Sequence, residues 1–210
     1  MSEEPPSVFI VDDDPSIRES LRRLVSSLGY AARTCTSAEN LLETLRPDVV
    51  GCIILDVLLP DLNGLEVQAR LADLGVQLPI IFLTGSADIP MSVRAMKAGA
   101  IEFLTKPFRT DQLVEAIRVA LDVDRVMQRD RIELADLRGR HESLSARERQ
   151  VMSKVIEGLL NKQIAADFGT TEATVKQQRA QVMSKMRANS VAELVRFAAR
   201  MGLKPAIHLK

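Results

Sequence analysis

Three short apolar runs, each ending on charged or hydroxyl side chains, constrain this 210-residue chain more than any other feature. Residues 8–11 lead into Asp12-Asp13-Asp14, residues 52–55 into Asp56, and residues 101–104 into Thr105-Lys106-Pro107. Runs of this length and polarity read as strands buried on both faces of a parallel sheet. Parallel strands bring their carboxyl ends to one edge, where doubly wound α/β folds bind ligands. The pattern therefore predicts one pocket holding Asp12, Asp13, Asp56 and Lys106. Three carboxylates with one ammonium make a hard oxygen site suited to Mg²⁺ rather than a hydrolytic triad.

Between these runs the chain alternates as a parallel α/β unit requires. A first helix is expected over residues 15–28, with Ile17, Leu21, Leu24 and Leu28 on its apolar face. A strand near residues 31–35 precedes a helix capped by Ser37. The segment Pro60-Asp61-Leu62-Asn63-Gly64 suits a tight turn before a helix over residues 65–74. A strand over residues 80–83 leads to Asp88, a candidate N-cap, with Pro90 tolerated in the first helical turn and Gly99 closing the helix. A final strand and helix complete five βα units, a doubly wound five-stranded parallel sheet of flavodoxin-like type over residues 1–121.

No proline or glycine interrupts residues 111–138, so the helix starting near Thr110 is expected to continue as a charged linker over residues 122–140, ending near Gly139. Asp122/Arg125, Arg129/Glu133 and Asp136/Arg140 are spaced to pair across one turn, each pair worth a few tenths of a kcal/mol. Residues 141–210 then read as an all-α domain of four short helices. Ser145-Ala146-Arg147-Glu148 has the form of a capping box, and Gly158 closes that helix. A short helix over residues 161–168, a turn at Gly169 and a longer helix over residues 171–187 make a helix-turn-helix. Residues 190–201 supply the last helix.

Charge divides the same way. Residues 1–121 carry 11 Lys and Arg against 17 Asp and Glu, a net −6, while residues 141–210 carry 12 against 6, a net +6. A basic last third under an acidic first half points nucleic acid towards the C-terminal domain. No apolar run approaches the roughly 20 residues of a membrane span, so no membrane partner is expected. Glu3 and Glu4 stand where a secretory signal would be basic. Cys35 and Cys52 form no CxxC pair and suit a reduced, cytoplasmic setting. Only His141 and His208 are present, from which a histidine-based zinc site or a Ser-His-Asp triad would be hard to assemble, and no phosphate-binding P-loop occurs.

The order Asp12-Asp13, Asp56, Thr84, Lys106-Pro107 resembles the receiver domain of two-component response regulators over roughly residues 7–121. Residues 88–100 further resemble the FixJ subgroup. Leu144-Ser145-Ala146-Arg147-Glu148, Gly158, Asn161-Lys162-Gln163-Ile164-Ala165, Thr174-Val175-Lys176 and Val182-Met183-Ser184-Lys185-Met186 resemble the LuxR-type DNA-binding domain. Together the chain is similar to regulators of the NarL/FixJ class. That family often carries histidine where this chain has Gln178, which leaves the DNA sequence read open.

The resemblance implies a phosphoacceptor at Asp56, loaded by a sensor histidine kinase. It implies Mg²⁺ on Asp13, Asp56 and the backbone carbonyl of Leu58, with Asp12 acting directly or through water, and Lys106 pairing with the phosphoryl oxygens. Thr84 and Phe103 become the switch pair, and the face of the fourth helix, last strand and last helix a homodimer surface used on phosphorylation. The Lys106-Pro107 bond is a candidate cis peptide. Each assignment has a structural alternative: an N-cap cluster for Asp12 to Asp14, a turn aspartate for Asp56, a surface amine for Lys106, a strand residue for Thr84, and core packing for Phe103.

In a helix-turn-helix the second helix enters the major groove. Val175, Val182 and Met186 fall on one inward stripe, leaving Thr174, Lys176, Gln177 and Gln181 for double-stranded promoter DNA. Lys162 and Lys176 suit phosphates, and Gln177 suits a bidentate pair with adenine. The bland alternative is a solvated polar face. The function expected is a phosphorylation-controlled transcription factor, not an enzyme, with RNA polymerase as a candidate partner. A phosphosignalling adaptor whose C-terminal helices bind a protein stands as the rival.

Overall fold

The structure is a computed structural model that describes residues 5–46, 49–85 and 89–203. It divides into two compact units, Met1–Gln128 and Arg129–Lys210. In the first, β1 (Ser7–Val11), β2 (Ala31–Cys35), β3 (Gly51–Asp56), β4 (Ile80–Thr84) and β5 (Glu102–Thr105) form one sheet. Its order is β2-β1-β3-β4-β5 and every pairing is parallel. Helices α1 (Pro15–Ser27), α2 (Ala38–Thr44), α3 (Gly64–Asp73), α4 (Ile89–Lys97) and α5 (Thr110–Glu142) connect or follow the strands.

Strand alternation sorts the core onto two faces. Val8, Ile10, Cys52, Ile54, Ile81 and Leu83 pack with residues of α1 and α5. Phe9, Val11, Ile53, Leu55 and Phe82 pack with residues of α2 and α3. Both faces of β1, β3 and β4 are buried, which is why their sequences are continuous apolar runs rather than alternating ones. Gly51 opens β3 with φ 151°, and a Cβ there would lie 1.7 Å from the Ser7 carbonyl oxygen, so only glycine fits.

Two expectations for the helices change. On α1 the buried residues are Leu21 and Val25, whereas Leu28 is 37% exposed. The helix ends at Ser27, so Leu28 is its C-cap and leaves the stripe. Helix α5 runs through Gly139 to Glu142, a length of 33 residues. A glycine inside a helix costs about 1 kcal/mol relative to alanine, and burial of Leu137 beside it offsets that. Asp122–Arg125 and Asp136–Arg140 pair as spaced, but Glu133 takes Arg200 at 2.8 Å. The expected cap Asp88 lies outside the described residues.

The second unit comprises the end of α5 with α6 (Ala146–Ile156), α7 (Asn161–Phe168), α8 (Glu172–Met186) and α9 (Val191–Arg200). Its core is Val151, Met152, Val155, Ile164, Val175, Val182, Met186 and Leu194 among others. The capping box at α6 forms on both sides: Glu148 N donates to Ser145 Oγ at 3.2 Å, and Ser145 N to Glu148 Oε2 at 2.7 Å. Gly169, in the left-handed region, turns the chain from α7 towards α8. Among the described residues no helix is long and apolar enough to cross a membrane.

Candidate functional site

The parallel sheet delivers the expected residues to one edge. Asp12 follows the last residue of β1, Asp56 ends β3, Thr84 ends β4 and Lys106 follows β5. Register enforces the convergence, since Val11 lies beside Leu55, Asp56 beside Leu83 and Thr84 beside Thr105. The Lys106 ammonium bridges the two buried carboxylates, with Nζ 2.6 Å from both Asp12 Oδ2 and Asp56 Oδ2. One carboxylate oxygen from each of Asp12, Asp13 and Asp56 lies within 4.8 Å of the others. Asp12 and Asp56 are buried and Asp13 is exposed, so the cluster opens to solvent on the Asp13 side.

The main chain braces Asp12, Asp56 and Lys106. Asp12 Oδ1 accepts the Asp14 N–H at 2.9 Å, and the Asp12 carbonyl accepts from Arg18 Nη1 at 2.6 Å. Asp56 Oδ1 accepts the Leu58 N–H at 3.0 Å. The Lys106 N–H donates to the Thr84 carbonyl at 2.6 Å, tying the β5 end to β4, and the Lys106-Pro107 peptide is cis. Asp14 does not join the carboxylates but caps α1, accepting from Ser16 N at 2.7 Å and Ile17 N at 3.4 Å. Gly64 makes room beneath the site: a Cβ there would stand 2.9 Å from the Asp56 carbonyl oxygen and 3.1 Å from the Phe82 ring.

Electrostatics follow from this crowding. Burial pushes the Asp12 carboxyl above the usual range, outweighing the lowering by its bonds to Lys106 and Asp14. For Lys106 burial acts downward, but the bonds and charges of Asp12 and Asp56 prevail and hold its pKa above that of a free amine. The result is a fixed ammonium between two acids, with a third acid at the mouth. Such a set binds a hard divalent cation or the oxygens of a phosphoryl group.

Thr84 is buried at the same strand edge. Phe103 is half-buried, its ring 6.1 Å from that of Phe82 and tilted by 45°. Both core packing and a place beside the site therefore describe Phe103. Leu58 is 55% exposed in the loop after β3, bridged to Asn63. Sequence reasoning missed Arg18, although a cation one turn after the N-cap of α1 was a signal for it.

In the second unit, Lys162 is exposed near the start of α7, and Lys176, Gln177 and Gln181 are exposed along α8, opposite buried Val175, Val182 and Met186. Thr174 is half-buried and committed locally: its N–H donates to Thr171 Oγ1 at 3.2 Å, and the two hydroxyls lie 2.9 Å apart. It is a capping partner first and a surface residue second. Gln178 lies half-buried beside the inward stripe, so the departure from histidine falls on packing more than on the exposed face. A part-buried pair missed in the sequence, exposed Lys185 Nζ to Glu148 Oε2 at 2.7 Å, ties α8 to α6 and holds the Glu148 carboxyl below its ordinary range.

Comparison with known proteins places both units. Residues 8–118 match the family described as response regulator receiver domain, and residues 142–198 match bacterial regulatory proteins of the luxR family. The chain is 47% identical to nodulation protein W of Bradyrhizobium diazoefficiens, over 93% of this chain and 86% of that protein. It is 42% identical to the transcriptional regulatory protein FixJ of Rhizobium meliloti, over 95% of this chain and 98% of that one. Among solved structures, the response regulator StyR superposes with a TM-score of 0.80 at 43% identity, covering 93% of this chain and 99% of StyR. The chain belongs to the two-component response regulators that join a receiver domain to a LuxR-family DNA-binding domain, and it is a transcription regulator of that system.

Proposed function

We propose that Asp56 accepts a phosphoryl group from a sensor histidine kinase and that this charge controls binding to double-stranded promoter DNA. The observation that carries the reading is Lys106, held at 2.6 Å from Asp56 and Asp12 at the carboxyl edge of a parallel sheet. An Asp56 oxygen attacks the phosphorus of the kinase's phosphohistidine as the P–N bond breaks and the imidazole leaves, and the resulting aspartyl phosphate carries roughly two negative charges at neutral pH. Lys106 is placed to follow those charges as a point cation. The donor set fits Mg²⁺, since Asp12, Asp13 and Asp56 offer three clustered carboxylate oxygens and the Leu58 carbonyl a fourth candidate. Bound there, the ion would offset the charge of the acids and of the phosphoryl oxygens.

The switch reading assigns Thr84 to the phosphoryl group and Phe103 to the space beside it. Supporting this, Phe103 is one of the residues that line a cavity of about 640 Å³ with Thr105, Pro107, Gln112 and Ala116. Moving the protein from mostly off to mostly on takes about 5.5 kcal/mol of differential stabilisation. Dimer burial is one source: Ile89, Val93 and Met96 form an exposed apolar stripe on α4 at helical spacing. Residues 1–121 serve as receiver, 122–140 as linking helix and 141–210 as DNA-binding domain, in a cytoplasmic protein that meets RNA polymerase at its promoters.

On α8, Gln177 reads base edges with Gln181 and Thr174 beside it, while Lys176 and Lys162 contact phosphates. Binding of the full chain to a random-sequence duplex pool, with and without beryllofluoride and Mg²⁺, tests the whole reading. The expected result is salt-sensitive selection that strengthens with the phosphate mimic and disappears in Asp56→Asn. Stable phosphoryl labelling at a residue other than Asp56 would sink the acceptor assignment. A chain that takes up the mimic yet selects no DNA would turn attention to protein partners.

A further inference from the structure

We propose that Arg179 is a positioning residue for DNA recognition, acting through Asn161 to fix the start of α7 against α8. The inference rests on the reading of α7 and α8 as the DNA-facing pair. Arg179 sits on α8 next to the inward stripe of Val175 and Val182, on the side away from exposed Gln177 and Gln181. Its Nη1 donates to Asn161 Oδ1 at 3.0 Å, across 18 residues of sequence. Asn161 is the first residue of α7, and the exposed Lys162 follows it.

The beginning of α7 needs such a tie. Its N-cap is Leu160, 68% exposed, which has no side-chain oxygen to accept an amide N–H. Gln163 braces the same turn from the other side, its Oε1 accepting the Leu160 N–H at 2.8 Å, but offers nothing to the N–H groups of the first turn. Ile164 and Ala165 pack α7 against Val175 and Val182 of α8, and the bond from Arg179 adds a directional tie at the first residue of the helix. Phosphate contacts set the register of a protein on the duplex, and base contacts then read sequence from that register. A bond linking the Lys162 end of α7 to α8 fixes the offset between the two sets of contacts. Losing it blurs sequence preference without removing a phosphate contact.

The test compares affinity of the full chain, loaded with beryllofluoride and Mg²⁺, for a selected duplex and for a scrambled duplex of the same length. Asn161→Ala breaks the bond while leaving every charge in place. The expected result is a fall in the selected-to-scrambled ratio of about tenfold, the weight of one charge-assisted hydrogen bond spent on alignment. The dependence on salt should stay that of the wild type. Arg179→Met should lower the ratio by a similar factor and add nothing further in the double variant, and Arg179→Lys, which keeps a donor, should recover part of it. Circular dichroism melting of each variant separates this from loss of the fold. A wild-type ratio in folded Asn161→Ala overturns the inference. So does an Arg179→Met variant that binds both duplexes equally more weakly with a salt slope lower by about one, the sign of a direct phosphate contact. A wild-type chain that prefers no duplex at all overturns the DNA reading and this inference with it.

Discussion

Removal of the Asp124 carboxylate offers a sharp test of how the receiver unit is closed at the end opposite its acidic pocket. Asp124 lies on α5, six residues beyond the span matched by the receiver family, and is fully buried. Its Oδ2 accepts the Gly51 N–H at 2.9 Å, at the first residue of the central strand β3. Four residues along, Gln128 Nε2 donates to the Val49 carbonyl at 3.2 Å. Asp124→Ala leaves the Gly51 N–H buried without that acceptor, which costs about 1–3 kcal/mol. A small void adds to the loss, so the expected destabilisation is about 2–3 kcal/mol. For a unit of this size that corresponds to a fall in Tm of about 5–15 °C.

Tyrosine fluorescence is the assay of choice, because the chain has no tryptophan and a single tyrosine, Tyr30, which is half-buried against the core of this unit. Urea unfolding followed at Tyr30 therefore reports the receiver unit without interference from the other. Asp124→Asn keeps an oxygen for Gly51, so it should cost less than Asp124→Ala. The same pair can be followed at Cys52, whose thiol is pushed up to about 12 by burial first and by the Asp124 charge second. Alkylation of native protein at pH 8 should be slow in the wild type and in Asp124→Asn, and faster in Asp124→Ala as local opening increases. If Asp124→Ala unfolds within 0.5 kcal/mol of the wild type, a threshold set by ordinary surface substitutions, the closing bond contributes nothing and the reasoning fails.

Other substitutions probe separate parts of the chain. Arg187 ends α8 at φ 52°, a left-handed position that favours glycine, so Arg187→Gly should stabilise the second unit by about 0.5–1 kcal/mol in chemical denaturation, net of the added freedom of the unfolded chain. Gly64→Ala should press on the Asp56 carbonyl and the Phe82 ring, costing about 1–3 kcal/mol and slowing phosphoryl uptake from acetyl phosphate, and unchanged uptake would show the turn can yield. Leu160→Ser supplies the missing cap on α7 and should raise the melting point of the second unit, by about 1 kcal/mol of stability. Glu148 is held below its ordinary range first by Lys185 and then by the Ser145 N–H, so its contribution is present at neutral pH and lost as pH falls below about 4. Glu148→Gln should accordingly destabilise the second unit at pH 7, with the gap to the wild type narrowing as pH falls through the titration of the native carboxyl, as read by circular dichroism melting.

What could be read from the sequence and what could not divide along one physical line. Asp12, Asp56 and Thr84 were legible because each is the last or next residue of a buried strand, and Lys106 because it follows β5, an edge strand that is largely exposed but whose parallel register still carries it to the same edge. Ser145 with Glu148, Ser37 with Asn40, and Gly169 were legible because caps and left-handed turns are contacts within four residues. Lys185 on Glu148, Arg179 on Asn161 and Asp124 on Gly51 span 37, 18 and 73 residues, and no local spacing encodes them. Thr174 shows the same line from the other side: placed on a helix face by periodicity alone, it was assigned to DNA, while its nearest polar neighbour three residues back already held it. A periodic face says which side chains point outward, but not which of them are still free to bind something. That distinction favours Gln177 over Thr174 as the base-reading residue, and Gln177→Ala should relax sequence preference by about 1–3 kcal/mol at one position while Thr174→Ala changes it little. A selection experiment in which Thr174→Ala alters the preferred duplex and Gln177→Ala does not would reverse that ranking.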